Sequence, residues 1–81
     1  MLIIYGSMQC PDCSQCREDL DRRNISYEYR DFSDSLKYLK EFLQIREESP
    51  LFSAVKEMGA IGIPCILRED GSVTLSWEEF L

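Results

Sequence analysis

The first two apolar patterns of the chain are those of β-strands. Residues Leu2 to Tyr5 form a continuous apolar run, which is typical of a strand covered on both faces, so we expect it at the centre of a sheet. Residues Ile25 to Arg30 instead alternate apolar and polar side chains, which predicts a half-buried strand. This second strand suits a sheet edge.

Helices are predicted between these two strands and again after the second strand. Proline is favoured at the first helical position, so Pro11 predicts a helix to about Arg23, with Cys10 as its N-cap and Asn24 as a stop. From an N-cap at Ser33 or Asp34, apolar residues recur at helical spacing as far as about Glu47. These apolar positions are Leu36, Leu39, Phe42, Leu43 and Ile45.

Pro50 interrupts this second helix, because proline disfavours helical geometry in the residue before it and restarts a helix at its own position. The restarted segment is expected to end at Gly59 and to turn its apolar residues inward. These residues are Phe52, Val55 and Met58. We therefore expect a broken pair of helices.

The last third of the chain predicts a β-hairpin. Residues 61–67 are apolar except for one glycine, residues 70–71 are the turn pair Asp-Gly, and residues 73–75 are the predicted second strand of the hairpin. Ser76 and Glu79 then have capping-box spacing at the start of a short terminal helix. Phe42, Phe52 and Trp77 are expected in the core.

The element order predicts one α/β domain over residues 1–81, with a four-stranded mixed sheet in the order β-α-β-α-β-β-α. The first βαβ unit requires a right-handed crossover between parallel strands, and the hairpin adds antiparallel ones, with helices on both faces. A chain of 81 residues fits one such domain.

Charge and composition exclude several classes of partner and of catalysis. The formal net charge of −6 repels phosphate backbones and anionic membranes, so we expect neither nucleic acid nor a membrane as partner. The short apolar start has no basic leader, so we expect a cytoplasmic protein. Histidine is absent, which excludes histidine-based catalysis and leaves cysteine chemistry.

Three of the four cysteines lie within seven residues, and Cys10 and Cys13 frame the sequence Cys-Pro-Asp-Cys. At a helix start this spacing can bring two sulfurs together as a reversible disulfide. Cys10 at the N-cap faces free backbone N–H groups that stabilise a thiolate, so it is the predicted nucleophile. Cys13, one turn deeper, is the predicted resolving thiol, and Asp12 is a helix-start acid that tunes the site.

Cys16 and Cys65 leave alternatives open. Each fits a packed core thiol, but Cys10, Cys13 and Cys16 also form a CxxCxxC run that Cys65 could complete as a metal or iron–sulfur site in a binding or adaptor module. On a regular helix the first and third of these thiols point about 120° apart, so they converge poorly. A third hypothesis is a redox sensor in which Cys16 or Cys65 forms a disulfide with one of the active-site thiols.

A strand, a CPxC motif that opens a helix, and Ile63-Pro64 before the third strand make the chain resemble the glutaredoxin family, a branch of the thioredoxin fold. The resemblance covers essentially the whole chain and implies a thiol:disulfide oxidoreductase without an organic cofactor. It implies that Pro64 is cis and lies beside Cys10, and that the Ile63 backbone pairs with substrate. The expected substrate contacts are Pro11, Asp12, Ile63 and Pro64.

The chain departs from the family pattern where glutathione binds. Ser7 stands where the family usually has a lysine or arginine, Gly62 replaces the threonine of Thr-Val-Pro, and the paired glycines expected near residues 75–77 are absent. The expected substrates are disulfide-containing proteins or low-molecular-weight thiols. Glutathione and a thioredoxin reductase both remain open as electron donor.

Overall fold

The computed structural model describes residues 1–81 and contains a single four-stranded sheet flanked by helices. The strands are β1 (Leu2–Gly6), β2 (Tyr27–Asp31), β3 (Cys65–Leu67) and β4 (Val73–Thr74). The helices are α1 (Pro11–Arg22), α2 (Leu36–Glu48) and α3 (Ser53–Glu57), with 3₁₀ segments at Pro50–Phe52 and Trp77–Phe80. This is the predicted thioredoxin-like α/β fold.

Strand β1 lies inside the sheet, whose spatial order is β2-β1-β3-β4. It pairs in parallel with β2, from Leu2 opposite Tyr27 to Gly6 opposite Asp31, and antiparallel with β3. The central position of β1, the edge position of β2 and the mixed sheet are therefore confirmed.

Alternation along β1 divides the core between the two faces of the sheet. Ile4 packs on one face with buried side chains of α1 and β3, namely Cys16, Leu20 and Ile66. Tyr5 packs on the other face with side chains of α2, the following 3₁₀ segment and β3, namely Phe42, Phe52 and Cys65. Phe42 and Phe52 are core residues as predicted, whereas Trp77 is only partly buried against the first of these clusters.

Helix α1 matches its prediction, with Cys10 as N-cap and Asn24 in a left-handed conformation just beyond its end. Helix α2 begins later than predicted: its N-cap is Ser35, whose hydroxyl accepts the Tyr38 N–H at 3.1 Å. Ser33 is not available as a cap because it belongs to a turn in which its N–H donates to the Asp31 carboxylate.

The segment before β3 is a loop, and the strand starts at Cys65 rather than at Ile61. Gly62 has φ +92° and Pro64 has no N–H to donate to a neighbouring strand, so residues 61–64 cannot extend the sheet. The inward position predicted for Met58 is also wrong, because its side chain is 78% exposed.

The predicted capping box at the chain end does not form. The Ser76 hydroxyl donates to Glu78, and the Glu79 carboxylate accepts from Arg68 instead of turning back to the cap. The segment is accordingly a single 3₁₀ turn without a side-chain cap. No helix of the structure is long and apolar enough to cross a membrane.

Candidate active site

Cys10 lies between the end of β1 and the first turn of α1. Its backbone is extended, Pro11 follows at the first helical position, and its Sγ accepts the Cys13 N–H at 3.3 Å. The side chain is partly exposed. A sulfur at this position faces the positive end of the helix dipole and an unpaired N–H group, both of which favour negative charge on it.

Cys13 lies one turn further along α1 and is fully buried. Burial raises the pKa of its thiol to about 12, while hydrogen bonds from the Ser7 backbone and from Tyr29 act in the opposite direction. All four cysteines of the structure are free thiols. Two thiols on one helical turn therefore differ sharply: the first meets solvent and the second is enclosed.

A groove of about 560 Å³ opens beside Cys10. The lining residues come from the ends of β1 and β2, the start of α1 and the loop before β3, and they are Ser7, Gln9, Cys10, Phe32, Ala60, Ile61, Gly62 and Ile63. The floor is mostly apolar, and Ile61 is 56% exposed. The groove can accept an extended, largely apolar segment next to the Cys10 sulfur.

The Ile63–Pro64 peptide bond is cis, as the resemblance implied. Ile63 lines the groove together with Cys10, whereas Pro64 is buried behind it. Pro11 and Asp12 are exposed on the first turn of α1 and do not line the groove. Of the predicted substrate contacts, the structure therefore brings only Ile63 into the groove beside Cys10.

A model of the glutaredoxin family matches residues 2–70. The chain belongs to the glutaredoxin family. It is also 34% identical over 73 residues to an uncharacterized protein of Haemophilus influenzae, a match that covers 90% of this chain and 85% of that protein. No solved structure matches the chain. Glutaredoxins typically act on thiol or disulfide substrates with glutathione.

Ser7, where glutaredoxins usually carry a basic residue, forms hydrogen bonds within the protein. Its hydroxyl lies 2.6 Å from that of Ser33 and accepts the Gln9 N–H at 3.1 Å. The side chain thus connects the loop before Cys10 to the loop after β2, and it brings no positive charge to the groove.

The backbone conformation of residue 62 and the neighbouring Phe52 ring explain why glycine stands where the family pattern Thr-Val-Pro has threonine. Its φ of +92° is strained for any residue with a side chain, and a Cβ there would lie 2.6 Å from the Phe52 ring. The larger Phe52 side chain occupies the space that a threonine needs. On the outer side of the loop, Arg46 donates to the carbonyl groups of Ala60 and Ile61 at 2.8 and 2.9 Å.

Cys16 and Cys65 are fully buried on opposite faces of the sheet. Burial raises the pKa of each thiol to about 12. No group of three or more histidine, cysteine, aspartate or glutamate side chains is arranged to hold a metal ion. The four-cysteine site considered from the sequence would require Cys65 on the α1 side of the sheet, where it does not lie.

Sequence reasoning missed the groove residues Gln9, Phe32, Ala60 and Ile61. A signal for Phe32 was present: it follows β2, and the carboxyl ends of parallel strands meet at the edge where such folds bind ligands. Ala60 and Ile61 carried no comparable signal, because Ala60 follows the predicted helix stop at Gly59 and Ile61 is predicted to begin a strand.

Proposed function

We propose that residues 1–81 form a single glutaredoxin-like domain that acts as a cytoplasmic thiol:disulfide oxidoreductase. The observation that supports this most is the partly exposed Cys10 sulfur, which borders the groove and accepts the Cys13 N–H. A reducing compartment suits a site that must return to free thiols. Disulfide exchange between thiols needs no organic cofactor.

In the first step the Cys10 thiolate attacks a substrate disulfide, so that a mixed disulfide forms and one substrate thiolate leaves. Cys13 then loses its proton and attacks the Cys10 sulfur, which forms the Cys10–Cys13 disulfide and releases the second substrate thiol. Two electrons pass to the substrate. Two electrons from an external donor, either glutathione or a thioredoxin reductase, return the pair to the reduced form.

The groove supports disulfides in extended protein segments as substrates, together with low-molecular-weight disulfides. The Ile63 backbone, at the cis peptide bond, offers the pairing groups for an extended strand, and apolar side chains beside it cover the flanking residues. Pro11 and Asp12 border the exposed side of Cys10, where a larger substrate would contact them.

Single-cysteine variants test these roles. Under mild oxidation with a peptide disulfide, Cys13→Ser should accumulate a stable mixed disulfide on Cys10, because the resolving thiol is missing. Cys10→Ser should lose disulfide reduction. Mass spectrometry of the intact protein identifies the adduct. If Cys10→Ser forms the adduct and Cys13→Ser does not, the two roles are reversed.

A further inference from the structure

The proposed function does not explain how the buried Cys13 thiol becomes reactive enough for the resolving step. The thiol is fully buried and its pKa is raised to about 12, yet it must lose a proton to attack the mixed disulfide on Cys10. A buried thiolate without a hydrogen-bond donor is costly. The question is which group of the protein stabilises that charge.

The side chain of Tyr29, from β2, extends to the same point as the Cys13 thiol. A Cβ at Gly6 would lie 2.6 Å from the Tyr29 Oη and 2.8 Å from the Cys13 Sγ. The two atoms therefore flank one small space at the end of β1, which stays open because residue 6 is glycine. The Tyr29 hydroxyl makes no hydrogen bond to an oxygen or nitrogen of the protein, so it is free to donate to sulfur.

The Arg17 cation strengthens Tyr29 as a hydrogen-bond donor, while its surroundings keep the phenol protonated. The Arg17 guanidinium of α1 lies 4.2 Å from the centre of the Tyr29 ring, and a cation over the ring face makes the phenol hydroxyl a stronger donor. Burial raises the pKa of Tyr29, and the nearby Cys13 and Asp31, two residues along β2, raise it further. The phenol therefore keeps its proton, which it needs in order to act as a donor.

We propose that Tyr29 is the side-chain hydrogen-bond donor that, together with the Ser7 backbone, stabilises the Cys13 thiolate during the resolving step, an assignment that rests on the function proposed above. The Cys13 sulfur forms its bond to Cys10 while the bond from Cys10 to the substrate sulfur breaks. The Cys13 proton passes to solvent, and the leaving thiolate takes a proton from solvent. Tyr29 keeps its own proton throughout and only orients and stabilises the attacking sulfur.

The test separates the two steps with dithiobis(nitrobenzoate), which releases one coloured nitrothiolate when Cys10 attacks and a second when Cys13 resolves the adduct. Rapid mixing of reduced protein with one equivalent of reagent records both phases. Tyr29→Phe removes only the hydroxyl. Tyr27→Phe is the matched control, because Tyr27 lies on the same face of β2 and donates to Asp21 at 2.7 Å, away from both thiols.

Tyr29→Phe should leave the first phase unchanged and slow the second about threefold. Loss of a hydrogen bond to a charged group lowers the fraction of Cys13 present as thiolate about tenfold. The thiolate that remains in the variant is more basic and about threefold more nucleophilic, so the net slowing is about threefold. Between about pH 6 and 9 the second-phase rate should rise with pH in parallel for both proteins, since ionisation of Cys13 limits it. Tyr27→Phe should match the wild type.

Three outcomes would overturn the assignment. An unchanged second phase in Tyr29→Phe would show that the hydroxyl contributes nothing, although Cys13 still resolves the adduct. A faster second phase would show that the tyrosine acts only by packing, because looser packing admits water to Cys13 and lowers its pKa. A wild type that behaves like Cys13→Ser and stops after one nitrothiolate would remove the proposed function together with this inference.

Discussion

At the scale of single residues, the site depends on an asymmetry between two thiols on one helical turn. The spacing of Cys10 and Cys13 and the following Pro11 were enough to predict the N-cap and the order of exposure, because caps and burial depth follow local sequence. The lining by Ala60 and Ile61 could not be predicted in this way, since it depends on where the loop before β3 meets the start of α1.

Ser7→Lys should increase turnover with glutathione about tenfold. A lysine there would offer a charged donor to a glutathione carboxylate, and such a hydrogen bond is worth roughly 1.5 to 3 kcal/mol. The gain should shrink as ionic strength rises, because salt screens the added charge. Steady-state kinetics with glutathione and glutathione reductase, at low and high salt, measure both effects.

Ser33→Ala is the control for this substitution, because it breaks the same Ser7–Ser33 contact without adding a charge. It should leave glutathione turnover near that of the wild type. A similar gain in both variants would mean that a loosened loop, rather than a restored cation, is responsible. No gain in Ser7→Lys would mean that glutathione does not contact this side of the groove.

At the scale of elements, the loop between α3 and β3 determines the shape of the groove. Its apolar sequence predicted a strand from Ile61, but the left-handed Gly62 and the missing N–H of Pro64 prevent strand pairing until Cys65. The turn of the hairpin and the restart at Pro50 were predicted correctly, because they depend on the local preferences of proline and glycine.

Gly62→Ala should destabilise the protein more than Gly71→Ala, by about 1 to 3 kcal/mol. Both glycines have a φ near +90°, so both substitutions carry the same conformational cost, but only the Cβ at residue 62 meets a neighbour, the Phe52 ring. Urea unfolding of the two variants isolates the packing contribution. Equal losses of stability would show that Phe52 moves aside at no cost.

At the scale of the whole molecule, the sheet separates Cys16 from Cys65, because the two thiols lie on its opposite faces. Period-two alternation along β1 and β3 sends Ile4 and Ile66 to the α1 face, and Tyr5 and Cys65 to the other. The strand patterns predicted the fold class and the sheet position of β1. They did not place Cys65 relative to Cys16, because the register of β3 on β1 is a tertiary property that the local pattern leaves open.

The protein should lose stability progressively as the pH rises above about 8.5. Burial raises the pKa of Cys13, Cys16 and Cys65 to about 12 in the folded state, whereas an unfolded cysteine titrates near 8.5. The unfolded chain therefore binds fewer protons than the folded one between these values, and the free energy of unfolding falls with pH. Below about 8.5 all three thiols are neutral in both states, and their contribution is constant.

Urea unfolding of the reduced protein between about pH 7 and 10 measures this decline, which reaches at most about 1.4 kcal/mol per pH unit for each buried thiol. Cys65→Ala removes the buried thiol of the second cluster, so the stability of this variant should be lower at neutral pH and should fall less steeply with pH. Above about pH 10 the decline should steepen further, because burial also raises the pKa values of Tyr5, Tyr27 and Tyr29. A free energy of unfolding that stays constant from about pH 8.5 to 10 would mean that the three thiols ionise inside the folded protein, and the dry environment assigned to Cys13 would then be wrong as well.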